Sequence, residues 1–425
     1  MPPAVPFGKQ FREKYFQELD PKYPAVNHGS NGLTPTPVFQ KYVEVMKRDF
    51  RNPDYFRRIE QPLLYVETLK ELGKFLKSDY RNLAIVDSAS TGVNTILRSY
   101  PFEQGSKIVA PNTLFEACAN TLKFLRNRYN VEIIPILLEY PLSDAEIAAK
   151  YAEVFEREHP TLAIFDTVSS LPGVRFPFEK ITELCKKYEV LSLIDGAHSA
   201  GLLPVNLDEL QPDFYTSNLH KWMYVPCNCA VLYVKEKHHR KIHTLPIGST
   251  YLDDNTEVSE EDENKWFVNR FSDYSTRNFA SPAVIRDAIK FRKEICGGEE
   301  AIFDYCHNLA VKAGEIISEK WGTSVLENKA KTLTSTMVNV ELPIHKFGIQ
   351  LNTIITSLSK ICNKSLENHG AFVPLFAHNG KLYGRFSAQV YNELSDYEKA
   401  SDDLLSALES YFEDMLIDST MKTSI

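Results

Sequence analysis

Two residues in separate short motifs of this chain, a lysine and an aspartate, have side chains that could do chemistry together. Lys221 lies in SNLHKW, directly after a stretch that reads as a β-strand, and Asp195 lies in LIDGAHSAG at the end of an apolar run. A lysine amine condenses with an aldehyde to form a Schiff base, and a buried carboxylate keeps a pyridine nitrogen protonated. Pyridoxal 5′-phosphate (PLP) requires both groups. Taken alone, the pair fits a surface lysine with an Asp-Gly helix cap as well as it fits a PLP site, since short motifs often arise by chance.

The elements that would position these residues alternate along the chain. The predicted strands are 83–87, 107–110, 133–137, 162–166, 190–195 and 230–234, and the predicted helices are 93–100, 116–129, 143–159 and 177–188. Such alternation predicts an α/β domain with a mostly parallel sheet. Ligands bind beyond the carboxyl ends of the strands in such sheets, and Asp87, Asp166 and Asp195 close three of the predicted strands.

The pattern along the chain predicts three parts. Residues 1–60 contain the turn-rich NHGSNGLTPTP and a helical stretch, and they are expected to pack with the small domain. Residues 61–290 form the large domain, which carries the parallel sheet. Residues 291–425 form a smaller C-terminal α+β domain with longer helices and with strands at 337–341 and 381–387.

Composition excludes several classes of protein. The net charge of −8 argues against a general nucleic-acid binder, which needs a basic face. The seven cysteines are scattered and odd in number, as expected for reduced thiols. The first residues lack the apolar segment of a signal peptide, and no apolar run reaches the roughly 20 residues of a membrane helix. We therefore expect a cytoplasmic protein that acts on a small molecule.

A candidate phosphate site follows the first predicted strand. SASTGV places small hydroxyls and backbone N–H groups at the start of a helix, where the helix dipole attracts anions. The alternative is a Ser or Thr N-cap with no ligand.

A metal site is not predicted. Cys227 and Cys229 form Cys-x-Cys, which lacks the usual spacing of zinc ligands. His238, His239 and His243 lie in or beside the Lys-rich KHHRK, which reads as a solvated surface.

Several motifs in a fixed order give the chain a family resemblance. SASTGVN, PNTLFEA, FDTVSS, IDGAHSAG, NLHKW, STRN and GRFSAQVYN follow one another as in the class V, fold-type I PLP enzymes. The chain most resembles the branch of isopenicillin N epimerase-like and hercynylcysteine sulfoxide lyase-like proteins. This resemblance runs from NHGSNG to YNELSDY and implies a large PLP-binding domain with a smaller C-terminal domain.

The resemblance implies roles for residues around the cofactor ring. Lys221 would hold PLP covalently and move the substrate Cα proton, and Asp195 would pair with the pyridine nitrogen. His198 would reach the phenolic oxygen, although a structural histidine is the alternative. Phe115 would stack on the ring, whereas without the resemblance it reads as core.

The phosphate and the substrate are assigned in the same way. The implied phosphate ligands are Ala89, Ser90, Asn218 and His220. Thr276 would reach the phosphate of the neighbouring subunit, because these enzymes resemble one another in being homodimers with shared sites. Arg385 would clamp the substrate carboxylate, with a structural salt bridge as the alternative, and Asn31 would lie on the substrate side.

Two departures from the family bear on the reaction. Thr167 stands where many relatives have histidine, which affects the contact with the ring. Cysteine desulfurases need a nucleophilic cysteine shortly before the carboxylate-binding arginine, and the stretch ENHGAFVPLFAHNGKLYGR has none. Cys362 lies further upstream in a helix-like segment and is a poor substitute.

The resemblance therefore implies β-elimination, which needs no such thiol. We expect a carbon–sulfur lyase that converts a cysteine conjugate or its sulfoxide to pyruvate and ammonia. An amino-acid epimerase or an aminotransferase is the alternative within enzymes, and a non-catalytic scaffold is the alternative outside them. The intact Lys221, Asp195 and Arg385 weigh against the scaffold.

Overall fold

The computed structural model describes residues 3, 5–253, 256, 257, 259–347 and 351–423. The strands of its larger sheet are β1 (Leu83–Val86), β2 (Lys107–Pro111), β3 (Glu132–Ile136), β4 (Leu162–Asp166), β5 (Leu191–Asp195), β6 (Phe214–Asn218) and β7 (Ala230–Val234). The smaller sheet contains β8 (Met337–Glu341), β9 (Leu375–His378) and β10 (Lys381–Ser387).

The larger sheet brings the carboxyl ends of six strands, all except β7, to one edge. Its strand order is β1-β7-β6-β5-β4-β2-β3. The strands from β6 to β3 in this order pair in parallel, whereas β7 runs antiparallel to both of its neighbours. The predicted α/β fold with a mostly parallel sheet is confirmed.

Helices cover the sheets and link their strands. The N-terminal helices are α1 (Lys9–Tyr15), α2 (His28–Asn31), α3 (Thr36–Arg51), α4 (Pro53–Tyr55) and α5 (Gln61–Leu76), with a π-helical turn at Phe56–Glu60. Those around the large sheet are α6 (Ala89–Ser99), α7 (Glu116–Tyr129), α8 (Asp144–Glu158), α9 (Phe178–Lys187), α10 (Leu207–Leu210), α11 (Leu219–Trp222) and α12 (Glu260–Ser272). The remainder are α13 (Ala280–Ala283), α14 (Ile285–Glu294), α15 (Glu299–Trp321), α16 (Leu351–Ile354), α17 (Leu358–His369) and α18 (Leu394–Thr423). Among the described helices, none is both long enough and apolar enough to cross a bilayer.

The pleat of the large sheet decides which way its terminal carboxylates face. Leu162 and Ile164 of β4 and Leu193 of β5 pack into the core beneath α6 and α7, and the residues between them pack into the other core. Because side chains alternate along a strand, Asp166 and Asp195 face the α7 side. The two are also register partners, so they emerge next to each other at the carboxyl edge.

The smaller sheet has the order β8-β10-β9 and is antiparallel throughout. The N-terminal α1 reaches this part of the chain, because Arg12 forms an ion pair of 2.9 Å with Asp396 in α18. The domain boundaries predicted near residues 60 and 290 stay predictions.

Candidate active site

Lys221 lies on the short helix α11, whose backbone is fixed from two sides. The His28 Nε2 donates to the carbonyl oxygen of Lys221 at 2.8 Å, and the Tyr391 hydroxyl donates to the His28 Nδ1 at 2.9 Å. On the other side, the Arg292 guanidinium donates to the Trp222 carbonyl at 2.7 Å. The lysine side chain therefore projects from a backbone that is held in place.

The surroundings of the Lys221 amine favour its neutral form. Its Nζ lies 3.2 Å from the Nε2 of His198. Burial and then the positive charge of Arg385 lower the pKa of Lys221 from 10.5 to about 8, against the opposing effect of Asp195. A neutral amine is the form that attacks an aldehyde.

Asp195 forms a buried acid site with donors on both of its carboxylate oxygens. Oδ1 accepts the backbone N–H of Ala197 at 3.0 Å, and Oδ2 accepts the Cys118 thiol at 3.3 Å. Burial raises the pKa of Asp195, and burial with the charge of Asp195 raises the pKa of Asp166 well above its usual range. Asp195 is the member of the pair whose two oxygens both accept hydrogen bonds, and such bonds favour the charged form of a carboxylate.

The start of α6 reaches the end of β6, directly before α11, because Gly92 lets the helix approach β6 closely. A Cβ at Gly92 would lie 2.3 Å from the Thr216 Oγ1. The Asn218 Oδ1 at the end of β6 accepts the N–H of Ala89 at 2.7 Å. Two of the predicted phosphate ligands thus touch, and they join the helix start to the strand that carries the lysine.

The capping and the phosphate interpretations of SASTGV are compatible. The Ser88 side chain caps α6 by accepting the N–H of Thr91 at 3.1 Å. The N–H of Ser90 has no acceptor among the residues that the structure describes, at the end of the helix where anions bind. His220 donates from Nδ1 to the Cys229 carbonyl at 2.9 Å, which leaves its Nε2 for a ligand. The phosphate-binding roles stay predictions.

Three predicted site residues have exposed side chains. Phe115 precedes α7 and is 46% exposed, so the alternative of an ordinary core residue is wrong. Thr276 lies between α12 and α13, in a segment anchored by Arg277, which donates to the Ile85 carbonyl at 3.0 Å. Asn31 ends α2. Their contacts with the cofactor, a second subunit and the substrate stay predictions.

Arg385 is a buried guanidinium with no carboxylate partner among the described residues. Its Nη1 donates to the Ser170 carbonyl at 2.8 Å, and its Nη2 donates to the Asn27 Oδ1 at 3.0 Å and the Ser30 Oγ at 2.9 Å. Its Nε has no partner within the described part of the chain. Burial lowers the pKa of Arg385 to about 10. The neutral oxygens orient the fork and leave its charge uncompensated, as a carboxylate-binding site requires.

The two departures from the family have structural explanations. The Thr167 hydroxyl donates to the His198 carbonyl at 3.2 Å, so this residue supports the backbone of His198. The Cys362 thiol on α17 donates to the Val373 carbonyl at 3.2 Å, and burial raises its pKa to about 11. A thiol held in this way is a poor nucleophile.

The histidines considered for a metal site make contacts within the fold. His238 Nε2 lies 2.9 Å from Asp213 Oδ1, and His239 Nε2 donates to the Val234 carbonyl at 2.9 Å. These contacts tie the segment after β7 to the sheet.

Sequence reasoning missed the residues that support the site from the N-terminal segment. Asn27, His28 and Ser30 belong to the NHGSNG motif, and their contacts with Arg385 and Lys221 bridge most of the chain. The glycines of the motif were the available signal. A Cβ at Gly32 would lie 2.0 Å from the His220 carbonyl, so the segment lies directly against α11, which carries Lys221.

The residues present fit PLP. The lysine amine has a lowered pKa, and the Asp195 carboxylate is buried with both oxygens oriented. The N–H of Ser90, unpartnered among the described residues, suits a phosphate at the start of α6. Lys221, Asp195, Ser90 and Asn218 would therefore hold the aldehyde, ring and phosphate ends.

Known proteins share this sequence and fold. Residues 34–399 match the model of the aminotransferase class-V family. The chain is 34% identical to hercynylcysteine sulfoxide lyase of Schizosaccharomyces pombe over 393 residues, which cover 92% of this chain and 95% of the relative. It is 29% identical to the L-cysteine desulfhydrase-like protein lolT1 of Epichloe uncinata, with 94% and 95% covered. A solved structure of a C-DES mutant with glycine covalently linked to the PLP cofactor covers 92% of this chain and 98% of its own, with a TM-score of 0.76 and 17% identity.

The match to the family model spans most of the chain, and the chain therefore belongs to the class-V aminotransferase family. The family predicted from the order of the sequence motifs is confirmed.

Proposed function

We propose that this chain is a PLP-dependent carbon–sulfur lyase that cleaves a cysteine S-conjugate or its sulfoxide. The products are pyruvate, ammonia and the sulfur fragment, with one water consumed. The observation that carries the proposal concerns Arg385. This buried guanidinium has no carboxylate partner among the described residues, and its positive charge lowers the pKa of Lys221. The 34% identity to hercynylcysteine sulfoxide lyase supports the choice of substrate class.

The protein groups divide the work of elimination. PLP, when bound, supplies an aldehyde for the amino group and an electron sink for the bond broken at Cα. Arg385 binds the substrate carboxylate through its planar fork. Lys221 accepts the Cα proton at Nζ. The Asp195 carboxylate keeps the pyridine nitrogen protonated. The described residues between α17 and Arg385 place no cysteine near the guanidinium, so the sulfur leaves directly from Cβ.

The remaining assignments belong to the same proposal. Ala89, Ser90, Asn218 and His220 bind the phosphate, His198 reaches the phenolic oxygen, Phe115 covers the ring and Asn31 lies on the substrate side. The cysteines are free thiols, which suits a reducing compartment such as the cytoplasm.

A homodimer is also part of the proposal. Tyr55, Ile59 and Leu63 follow one another at four-residue spacing and are 53%, 51% and 66% exposed, and Phe50 nearby is 80% exposed. Apolar patches of this kind mark interfaces. Thr276 then reaches the phosphate site of the second subunit. Leu63→Glu should shift sedimentation towards the monomer, whereas Leu366→Glu, at an exposed leucine on α17, should not.

The deciding experiment measures products from a panel of cysteine S-conjugates and their sulfoxides. We expect pyruvate and ammonia in equal amounts, with sulfoxides faster because a sulfenate leaves more readily than an alkyl thiolate. Lys221→Ala should lose the reaction, whereas Lys235→Ala, at another part-buried lysine with a lowered pKa, should keep it.

Other outcomes would overturn the assignment. Substrate racemised without pyruvate would identify an epimerase, and transfer of the amino group to a 2-oxo acid would identify an aminotransferase. Failure to take up PLP, read from the absorption of the lysine-bound cofactor, would identify a scaffold.

A further inference from the structure

His198 lies between Trp222 and Lys221, and its two ring nitrogens face different partners. The indole Nε1 of Trp222 is 3.1 Å from Nδ1, and the Lys221 Nζ is 3.2 Å from Nε2. His198 and Trp222 are 2% and 1% exposed, so water does not compete for these contacts. The three side chains form one buried row that ends at the reactive amine.

The chemistry of the indole fixes the proton on the imidazole. An indole N–H donates and never accepts, so the His198 Nδ1 must be the acceptor and carries no hydrogen. A neutral imidazole then has its hydrogen on Nε2. That hydrogen is donated to the Lys221 Nζ, which accepts it through its lone pair and must be the uncharged amine.

A protonated His198 would conflict with the same contact. It would carry a hydrogen on Nδ1 that faces the indole N–H, so two donors would meet without an acceptor. Trp222 therefore opposes both the imidazolium and the tautomer that could accept a proton from a lysine ammonium.

We propose that Trp222 is a positioning residue that acts through His198 to hold Lys221 as the free amine. The inference rests on the proposed function in one respect, namely that Lys221 takes the aldehyde of PLP. In that condensation the Lys221 nitrogen forms a bond to the aldehyde carbon and one water is released. A protonated amine has no lone pair for the attack and cannot begin this reaction.

Other charged and titratable groups face Lys221 from the elements around it. Arg385 of β10 favours the neutral amine, and Asp195 of β5 favours the charged one. His28 of α2 is uncharged, because burial lowers its pKa to about 3. Trp222→Phe keeps Arg385, Asp195 and His28, and its phenyl ring can still pack against the His28 ring, which lies 4.9 Å from the Trp222 ring between centroids.

The chain provides a matched control for the indole. Trp321 is also fully buried, at 0% exposed, and its Nε1 has no partner in the described part of the chain. Trp222→Phe removes an indole that donates, and Trp321→Phe removes one that does not. A difference between the two variants reports the donated hydrogen rather than lost packing.

The first test reads the tautomer directly. Nitrogen-15 spectra of histidine-labelled, full-length wild-type protein should show His198 with its hydrogen on Nε2, assigned through His198→Gln. A hydrogen on Nδ1 would overturn the proposal, and this measurement needs no variant of Trp222.

The second test reads the amine. Full-length protein freed of cofactor is treated with formaldehyde and cyanoborohydride across a pH series, and methylation of Lys221 is followed by peptide mass spectrometry. For Trp222→Phe we expect the midpoint to rise by about one pH unit and the rate at pH 7 to fall roughly tenfold, the effect of one lost hydrogen bond. Trp321→Phe should match wild type.

An unchanged midpoint in folded Trp222→Phe would refute the role of the indole. If the spectra and the methylation agree with the proposal but no cysteine conjugate is cleaved, the proposed function alone fails. The two failures are therefore distinguishable.

Discussion

Two arginines in this molecule are equally buried and are held in opposite ways. Arg292 of α14 is 0% exposed and Arg385 of β10 is 2% exposed. Arg292 donates to both carboxylate oxygens of Glu299, at 2.7 and 2.6 Å, and to two backbone carbonyls. Arg385 has neutral oxygen partners and, among the described residues, no carboxylate.

The difference separates a structural charge from a binding charge. Burial works against the charge of Arg292, but the charge and hydrogen bonds of Glu299 more than offset it and raise the pKa of Arg292. Burial lowers the pKa of Arg385 without such an offset. A buried charge is costly unless it is paired, so a fold that retains Arg385 needs a ligand to complete it.

The strongest test of this comparison removes the unpaired charge. Arg385→Met should lower kcat/KM for cysteine conjugates by at least about 100-fold, because a charge-assisted carboxylate contact is lost. Its free energy of unfolding should fall less than that of Arg292→Met, because hydrogen bonds to neutral oxygens are lost but no ion pair is broken. Arg385→Lys should lie between wild type and Arg385→Met. Normal KM and kcat in Arg385→Met would mean that another group binds the substrate carboxylate.

The paired arginine should show the opposite balance between stability and activity. Arg292→Met should lower the free energy of unfolding by about 2–3 kcal/mol, because Glu299 and two carbonyls lose their donor. Its KM should change less than that of Arg385→Met. The comparison is made by urea unfolding and steady-state kinetics of both variants. An Arg292→Met protein as stable as wild type would contradict the structural role of this arginine.

The unpaired charge should also be visible in the pH dependence of Lys221. The neutral amine is the reactive form, so methylation in cofactor-free protein should be present above pH about 8 and should decline as the pH falls through it. Arg385→Met should move this midpoint upward, because a positive charge that disfavours the ammonium is removed. Arg292→Met should leave it in place.

The smallest effect is expected from the hydrogen bond between Cys118 and Asp195. Cys118→Ala removes one of the two donors to Asp195 and should reduce kcat a few-fold, in line with one weak hydrogen bond. Cys118→Ser keeps a donor and should recover most of the loss. Cys185→Ala, at a buried cysteine on α9, provides the control, and equal losses in both alanine variants would mean that packing alone is responsible.

The sequence predicts those parts of the site that follow from local pattern. Strand periodicity predicted Asp87, Asp166 and Asp195 at the carboxyl edge of the sheet, and the helix predicted at 116–129 begins and ends where α7 does. Period and turn chemistry are properties of neighbouring residues, so they can be read along the chain.

The supporting contacts could not be predicted in this way. His28 and Lys221 are 193 residues apart, and Cys118 and Asp195 are 77 apart. Nothing in the local sequence of either partner indicates the other, because three-dimensional packing brings them together. The same reason explains why Arg385 could be read equally as a salt bridge, since its lack of a carboxylate partner appears when its neighbours are known.

The hydrogen bond between Arg385 and Ser30 has a consequence for how the protein is made. It joins residues 355 positions apart, one translated early and the other late. A growing chain acquires Ser30, then the lysine, and the guanidinium last. A polypeptide that ends before β10 therefore contains Lys221 without the guanidinium that lowers its pKa and binds the substrate carboxylate. The amine and the carboxylate-binding group are therefore completed together, when the last strand of the small sheet joins the N-terminal segment.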